Sequence, residues 1–282
     1  MHGVFSTYNS LPDNLVGYFK TFSIYDQSDN SEFSRKIAES YPNSIPTINS
    51  GHSLSHYFAY IIENWHELPD YVVFLKSNVV PRHIDAHTFE RCIDLARLKS
   101  GYVSFFNDEN FKDKTRIAYH IYPGLFLERN NSWYVKRLEK QYFNDFNQLL
   151  NFLFINPKLP EFVPFTPGAC FGVTSSQIHH IPLEVWKFLE EITTYKYFPS
   201  EAYLVERVLF ILLHAPYEIQ PYFTAESDSW RVHLRRIQTE TQMEALKSKK
   251  IQAIKFKKIK QLVYQLIVKV EAKLRFELDS RF

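Results

Sequence analysis

The amino-acid sequence predicts the α/β fold class, with a mainly parallel central sheet in a domain at 1–225 and a basic amphipathic helical tail at 226–282. Three observations predict it. Short apolar runs alternate with stretches of helical periodicity, the pattern of strand–helix units. The run 71–75 (YVVFL) is apolar at every position, as a strand covered on both faces must be. From about residue 229 the chain loses Gly and Pro and becomes basic. At 45% hydrophobic and 17% aromatic over 282 residues, the chain can bury a large core.

The elements follow in order. Residues 3–9 (GVFSTYN) read as a first strand entering a polar loop. Residues 15–25 continue as an extended or helical segment, and 32–39 form a short helix stopped by Tyr41-Pro42. Residues 53–65 (SLSHYFAYIIENW) are a clear helix, because Leu54, Phe58, Ile61, Ile62 and Trp65 recur at helical spacing. Ser53 is its expected N-cap, and Gly51 permits a tight turn before it. Leu68-Pro69-Asp70 breaks the chain ahead of the strand at 71–75, and 85–98 resemble another helix. A second short apolar run, 102–106, ends in NDEN. The middle, 111–160, is aromatic and irregular. Residues 162–174 (FVPFTPGACFGVT) read as loop, then strand, and 182–193 and 201–214 as helices. In the tail, Ile251, Ile254, Ile259, Leu262, Leu266, Val270 and Leu274 trace one helical face among lysines.

The net charge of +2 hides an asymmetry: from Trp230 onward there are 14 Lys/Arg against 5 Asp/Glu, about +9, which leaves −7 on the first 229 residues. An acidic globule with a basic tail predicts a charged surface as partner. Cys92 and Cys170 imply neither a disulfide framework nor a Cys-rich metal site, which fits a reducing cytoplasm. No cationic start precedes an apolar run, and no uncharged apolar stretch is long enough to span a bilayer.

Familiar catalytic signatures are missing. GACFG matches neither the dinucleotide fingerprint nor the phosphate-binding loop, and neither HExxH nor G-x-S-x-G occurs. The pair His179-His180 is the best metal-like cluster, but adjacent histidines point apart, and a polar loop explains them. Four segments can carry chemistry. Asn49 to His52 at a helix start can present backbone N–H groups and imidazole to an anion, or simply cap the helix. In KSNVVPRH, Lys76, Arg82 and His83 form a cationic cluster or a solvated loop. In FTPGACFGV, a Pro-Gly turn and small residues let a ligand approach the backbone, and Cys170 is a buried hydrophobe rather than a nucleophile. In SEAYLVERVLF, Glu206 and Arg207 among apolar residues form an internal ion pair or face a cleft, where the carboxylate would serve as a base.

These segments, in this order, resemble an uncharacterised, glycosyltransferase-like family found in bacterial capsule and O-antigen gene clusters, with relatives in fungi. Its members look like an early YN, then N-x-G-[HR], a helix with IIENY, LPD-x-x-x-F-x-[KQ]-[GS]-N, often P-R-H, PGAC-[FY] and E-x-x-x-x-E-R. Here these are Tyr8-Asn9, Asn49 to His52, Ile61 to Trp65, Leu68 to Asn78, Pro81 to His83, Pro167 to Phe171 and Glu201 to Arg207, covering about residues 3–215. The chain departs where many relatives carry a Glu and a His after N-x-G-[HR]: Ser53 and Ser55 stand nearby. Ser77 replaces the usual Gly.

The resemblance implies a single Rossmann-like, GT-A-like domain and a transferase of surface-polysaccharide biosynthesis. It would move a sugar from a nucleotide-sugar to a glycan or lipid-linked glycan acceptor. Enzymes of that kind commonly hold a divalent metal through Asp-x-Asp at the end of a central strand, where this chain offers Lys76-Ser77-Asn78. The expected donor-binding residues are Tyr8, Asn9, Gly51, His52, Lys76, Asn78, Arg82 and His83, with the cations in place of a metal. Glu206, then Glu201, then Asp108 are the candidate catalytic carboxylates, and Gly168, Ala169 and Arg207 would line the acceptor side. No cofactor is expected, with Mg or Mn the open alternative, and no nucleic acid. Transfer of another group onto a glycan, or a non-catalytic glycan-binding or scaffold role, are the competing readings. The tail would lie on the anionic inner face of the membrane from the cytoplasm, or pair two copies as a homodimer.

Overall fold

A computed structural model describes residues 1–99, 101–107, 118–120, 124–130, 132, 140–214, 216–225 and 228–279. Its compact unit, Met1–Leu234, is built on a six-stranded sheet in the order β3-β2-β1-β4-β9-β5. The strands are β1 (His2–Thr7), β2 (Thr21–Asp26), β3 (Ile45–Pro46), β4 (Tyr71–Lys76), β5 (Val103–Ser104) and β9 (Phe171–Thr174). The pairs β1–β2, β1–β4 and β2–β3 are parallel, while β9 runs antiparallel to both β4 and β5. The expected α/β class with a mainly parallel sheet therefore holds.

β4 is apolar throughout because both its faces are covered. Val73 and Leu75 share a core with Phe5, Ile37, Phe89 and Ile93, contributed by β1, α2 (Ser31–Ser40) and α5 (Ala86–Arg97). On the other face, Phe74 meets Tyr57 and Tyr60 of α3 (His52–Glu63). Behind α3 lie α8 (Leu183–Thr194) and α9 (Glu201–His214), with Trp186 packed on Phe58.

Several elements differ from the sequence expectation. The segment 15–25 splits into a short turn of helix, α1 (Asp13–Val16), and strand β2. Within 111–160 the chain forms β6 (Ala118–His120), β7 (Phe126–Arg129) and the helix α6 (Phe146–Leu153), capped where Asp145 accepts from the Gln148 N–H. β6, β7 and β8 (Phe162–Phe165) make a small antiparallel sheet, so 162–174 is strand, turn, strand rather than loop then strand. Helix α3 starts at His52 with Gly51 as its N-cap, and Ser53 is a buried first-turn residue.

Between α5 and β4 the chain makes α4 (Val79–Arg82), a broken turn; α7 (Ser175–His179) follows β9. The final helix, α10, runs Ser229–Asp279. The compact unit extends past the expected 225/226 boundary because the first turn of α10 belongs to it. Trp230 is buried and donates to Glu184 at 2.8 Å, and Arg231 pairs with Glu191 at 2.8 Å. Residues 235–282 form the second unit. Among the described residues, no helix is long and apolar enough to cross a membrane.

Candidate functional site

The topology dictates where a ligand can sit. From β1 the chain winds outward to β2 and β3, then returns to β4 on the opposite side of β1. Loops leaving the carboxyl ends of β1 and β4 therefore diverge and open a crevice. Because β9 runs antiparallel, with Phe74 opposite Phe171, its incoming turn at Pro167–Ala169 reaches the same edge. A cleft of about 510 Å³ occupies this crevice. Tyr8, His52, Lys76, Asn78, Arg82, Gly168 and Glu206 line it. Seven expected site residues, scattered over 199 positions of sequence (8 to 206), thus share one cavity. A side chamber adds Ala169.

Lys76 ends β4 half-buried, and among the described residues its ammonium has no hydrogen-bonding partner. Arg82, exposed on the turn after β4, also has no ion pair among the described residues. The N-terminus of α3 joins them, since Gly51 supplies no side-chain cap and His52 and Ser53 line the cleft. Two cations and a helix N-terminus suit an anionic ligand.

Glu206 is the carboxylate of the cleft. One oxygen accepts the Gly168 N–H at 2.7 Å, and the other meets Arg207 Nη1 at 3.2 Å. Its side chain retains 18% exposure, toward the cavity. Burial raises its pKa, while the charges of Arg207 and Lys76 pull the other way. A carboxylate with a raised pKa and one open side is fit to accept a proton.

The rest of the expected set divides. Glu201 is fully buried and committed to structure: it accepts from the backbone N–H groups of Gln141 and Tyr142 at 2.7 and 2.8 Å and from the Tyr195 hydroxyl at 2.5 Å. Arg207 is buried too, paired with Glu128 of β7 at 2.6 Å and stacked over Phe165, so it holds α9 to the small sheet rather than facing an acceptor. Gly51 is set by packing. It sits at φ 64°, and a Cβ there would lie 2.3 Å from the Thr193 carbonyl oxygen of α8. Asn9 bridges β1 to the β2–α2 loop through Ser28, Asp29 and Asn30. Asp108 lies outside the described residues.

His83 is not a third cation. Its ring packs behind Gly168, and burial with the charges of Lys76 and Arg82 lowers its pKa to about 3. His52 is neutral for the same reasons, with a pKa near 4 from burial and Lys76. His179 donates its Nε2–H to the Trp65 carbonyl at 2.8 Å, tying α7 to the end of α3. Cys170 is fully buried, and burial raises its thiol.

Asn49, from the segment expected to bind an anion, lines the cleft too, whereas sequence reasoning missed Ser6, Gln27, Tyr197, Phe198 and Tyr203, all on the cleft wall. Two buried polar atoms on that wall, Gln27 Oε1 and His52 Nε2, lack a hydrogen-bonding partner among the described residues. Buried polar atoms are rarely left so, and a ligand in the cleft would satisfy them. Ser6 belongs to a buried network in which His56 bridges Ser6 at 2.8 Å and Thr47 at 2.9 Å. The alternating Ser6–Tyr8 at a strand end was the signal available in sequence.

Residues 22–226 match the family model described as "Protein of unknown function (DUF3431)". The chain belongs to that family. No curated protein and no solved structure matches it. The DUF3431 match takes in Lys76, Gly168 and Glu206, while Ser6 and Tyr8 precede it.

Proposed function

We propose that this protein is a glycosyltransferase that moves a sugar from a nucleotide-sugar to a surface-polysaccharide acceptor carried on a lipid. The observation that carries the reading is one cleft, at the sheet's switch point, holding two cations with no partner among the described residues beside a carboxylate with a raised pKa. The finer GT-A-like assignment rests on the same topology, a parallel β3-β2-β1-β4 half continued by antiparallel β9.

The donor's diphosphate lies against Lys76, Arg82 and the N-terminus of α3, with Tyr8 toward the nucleotide base. Preorganised cations there stabilise the charge that builds on the leaving group. Glu206 takes the proton of an acceptor hydroxyl as that oxygen attacks the anomeric carbon. The bond to the diphosphate breaks, its electron pair leaves with the nucleoside diphosphate, and the configuration inverts. Gly168, locked by its hydrogen bond to Glu206, and Ala169 border the acceptor side. Donor ligands for Mg or Mn at this strand end are poor: Lys76 presents an ammonium, the Ser77 hydroxyl is engaged by Ser10, and Asn78 offers one amide oxygen. No step is routed through a metal.

Titration calorimetry of the purified protein against common nucleotide-sugars tests the reading. Binding of at least one donor, at micromolar strength and lost with the diphosphate removed, is expected. Binding of none refutes it.

A further inference from the structure

We propose that residues 254–266 of α10 lie flat on an anionic lipid surface. This inference does not rest on the transferase reading. Phe256, Ile259, Val263 and Leu266 recur at helical spacing on one face, with Leu262 beside them. They stand in the open, with Phe256 70% and Leu266 64% exposed. At about 100° per residue, Lys255 falls within the apolar stripe, from which its stem can reach out to the headgroups, while Lys250 and Lys257 fall on the opposite face and Lys258 and Lys260 on the two flanks. All five are exposed. No Asp or Glu occurs between Glu244 and Glu271. A face of large apolar residues with lysines around it is the composition of an interfacial helix.

Charge selects this occupant over the others. A second copy docked on the same face would bring Lys255 and the flanking Lys258 and Lys260 of both chains together, and like charges oppose that pairing. The apolar spacing is also irregular: from Ile251 through Ile254, Ile259, Leu262, Leu266 and Val270 to Leu274 the steps run 3, 5, 3, 4, 4 and 4, with no alternation of threes and fours. A coiled coil needs its seam sustained over about three to four heptads. A nucleic acid would engage the lysines and leave Phe256, Ile259 and Leu266 in water. A bilayer rich in anionic lipid satisfies both: the apolar face enters the headgroup–acyl boundary, and each lysine near the surface adds about 1 kcal/mol, roughly a five-fold gain in binding.

The full chain is sedimented with vesicles of phosphatidylcholine alone and with vesicles carrying about one-third phosphatidylglycerol. Binding to the anionic vesicles only, weakened by added salt, is expected. Lys257→Gln/Lys258→Gln should weaken it about 25-fold, and Phe256→Ser/Ile259→Ser by about ten-fold or more. Circular dichroism and the melting temperature check that both variants remain folded, as exposed positions should. Equal binding to both vesicle types, no binding, or either variant binding as wild type does would overturn the proposal. So would a concentration-dependent dimer that Phe256→Ser/Ile259→Ser makes monomeric, or a DNA duplex that binds more tightly than the vesicles.

Discussion

Replacing Lys76 with Met tests the cleft most directly. Met keeps the length of the stem and removes only the charge. Because the ammonium has no partner among the described residues, the change leaves no buried group orphaned, and the melting temperature should hold or rise slightly. What goes is a charge-assisted hydrogen bond to the donor's phosphates, worth about 1.5–3 kcal/mol. The dissociation constant for a nucleoside diphosphate should therefore rise roughly ten- to hundred-fold. A second consequence follows from Coulomb's law. Lys76 lowers the pKa of Glu206, His52 and His83, so removing it moves all three upward. The acid limb of the pH–rate profile, set by Glu206, should shift to higher pH. Titration calorimetry, differential scanning calorimetry and a pH–rate profile read the three effects, with Lys76→Arg as the charge-preserving control. A dissociation constant within about two-fold of wild type, with stability unchanged, would refute the assignment of Lys76 to phosphate binding.

Glu206→Gln should lower kcat by about 10²–10⁴-fold while donor affinity changes little, and equal losses in both would demote it from base to binding residue. In the wild type, burial raises the Glu206 pKa, so activity should fall as pH drops through a value above that of an ordinary carboxylate. A limb at the ordinary value would contradict the geometry. Gly51→Ala forces a left-handed backbone and a Cβ 2.3 Å from a carbonyl oxygen. It should cost about 3 kcal/mol and lower the melting temperature by roughly 6–12 °C, and an unchanged melting curve would show that α8 gives way. His52, His56 and His83 are held neutral, with pKa values near 4, 4 and 3. Their depressed values stabilise the fold above the unfolded pKa of about 6.5, and that stability is lost as pH falls from there toward 4. A flat melting temperature over that window would argue against it.

Long, regular elements were legible in the sequence. The period of Leu54, Phe58, Ile61 and Ile62 marked α3, and the unbroken apolar run of β4 marked a central strand. The short strands β6, β7 and β8, of three or four residues, were not legible. Strands that brief carry too few alternations to stand out, and their stability comes from Glu128–Arg207 and from packing against α9. Much of the cleft could be anticipated from polar residues placed directly after strands or at a helix start, as with Tyr8, His52, Lys76 and Asn78. Tyr197, Phe198 and Gln27 could not, because nothing local distinguishes a wall residue from any other loop residue.

The sequence by itself determined the fold class, the basic tail and which polar residues stand at element ends, since periodicity and composition are local properties. Only the tertiary structure decided which of them act together. β9 runs antiparallel against β4, so the turn carrying Gly168 reaches the cleft that Lys76 lines, where its N–H holds Glu206. Burial, a property of the whole packing, then turned His83 from a cation into a neutral ring and Arg207 and Glu201 into structural ties. At the end of β4 it left Lys76 as the charge that faces the cleft, with Arg82 on the turn beyond.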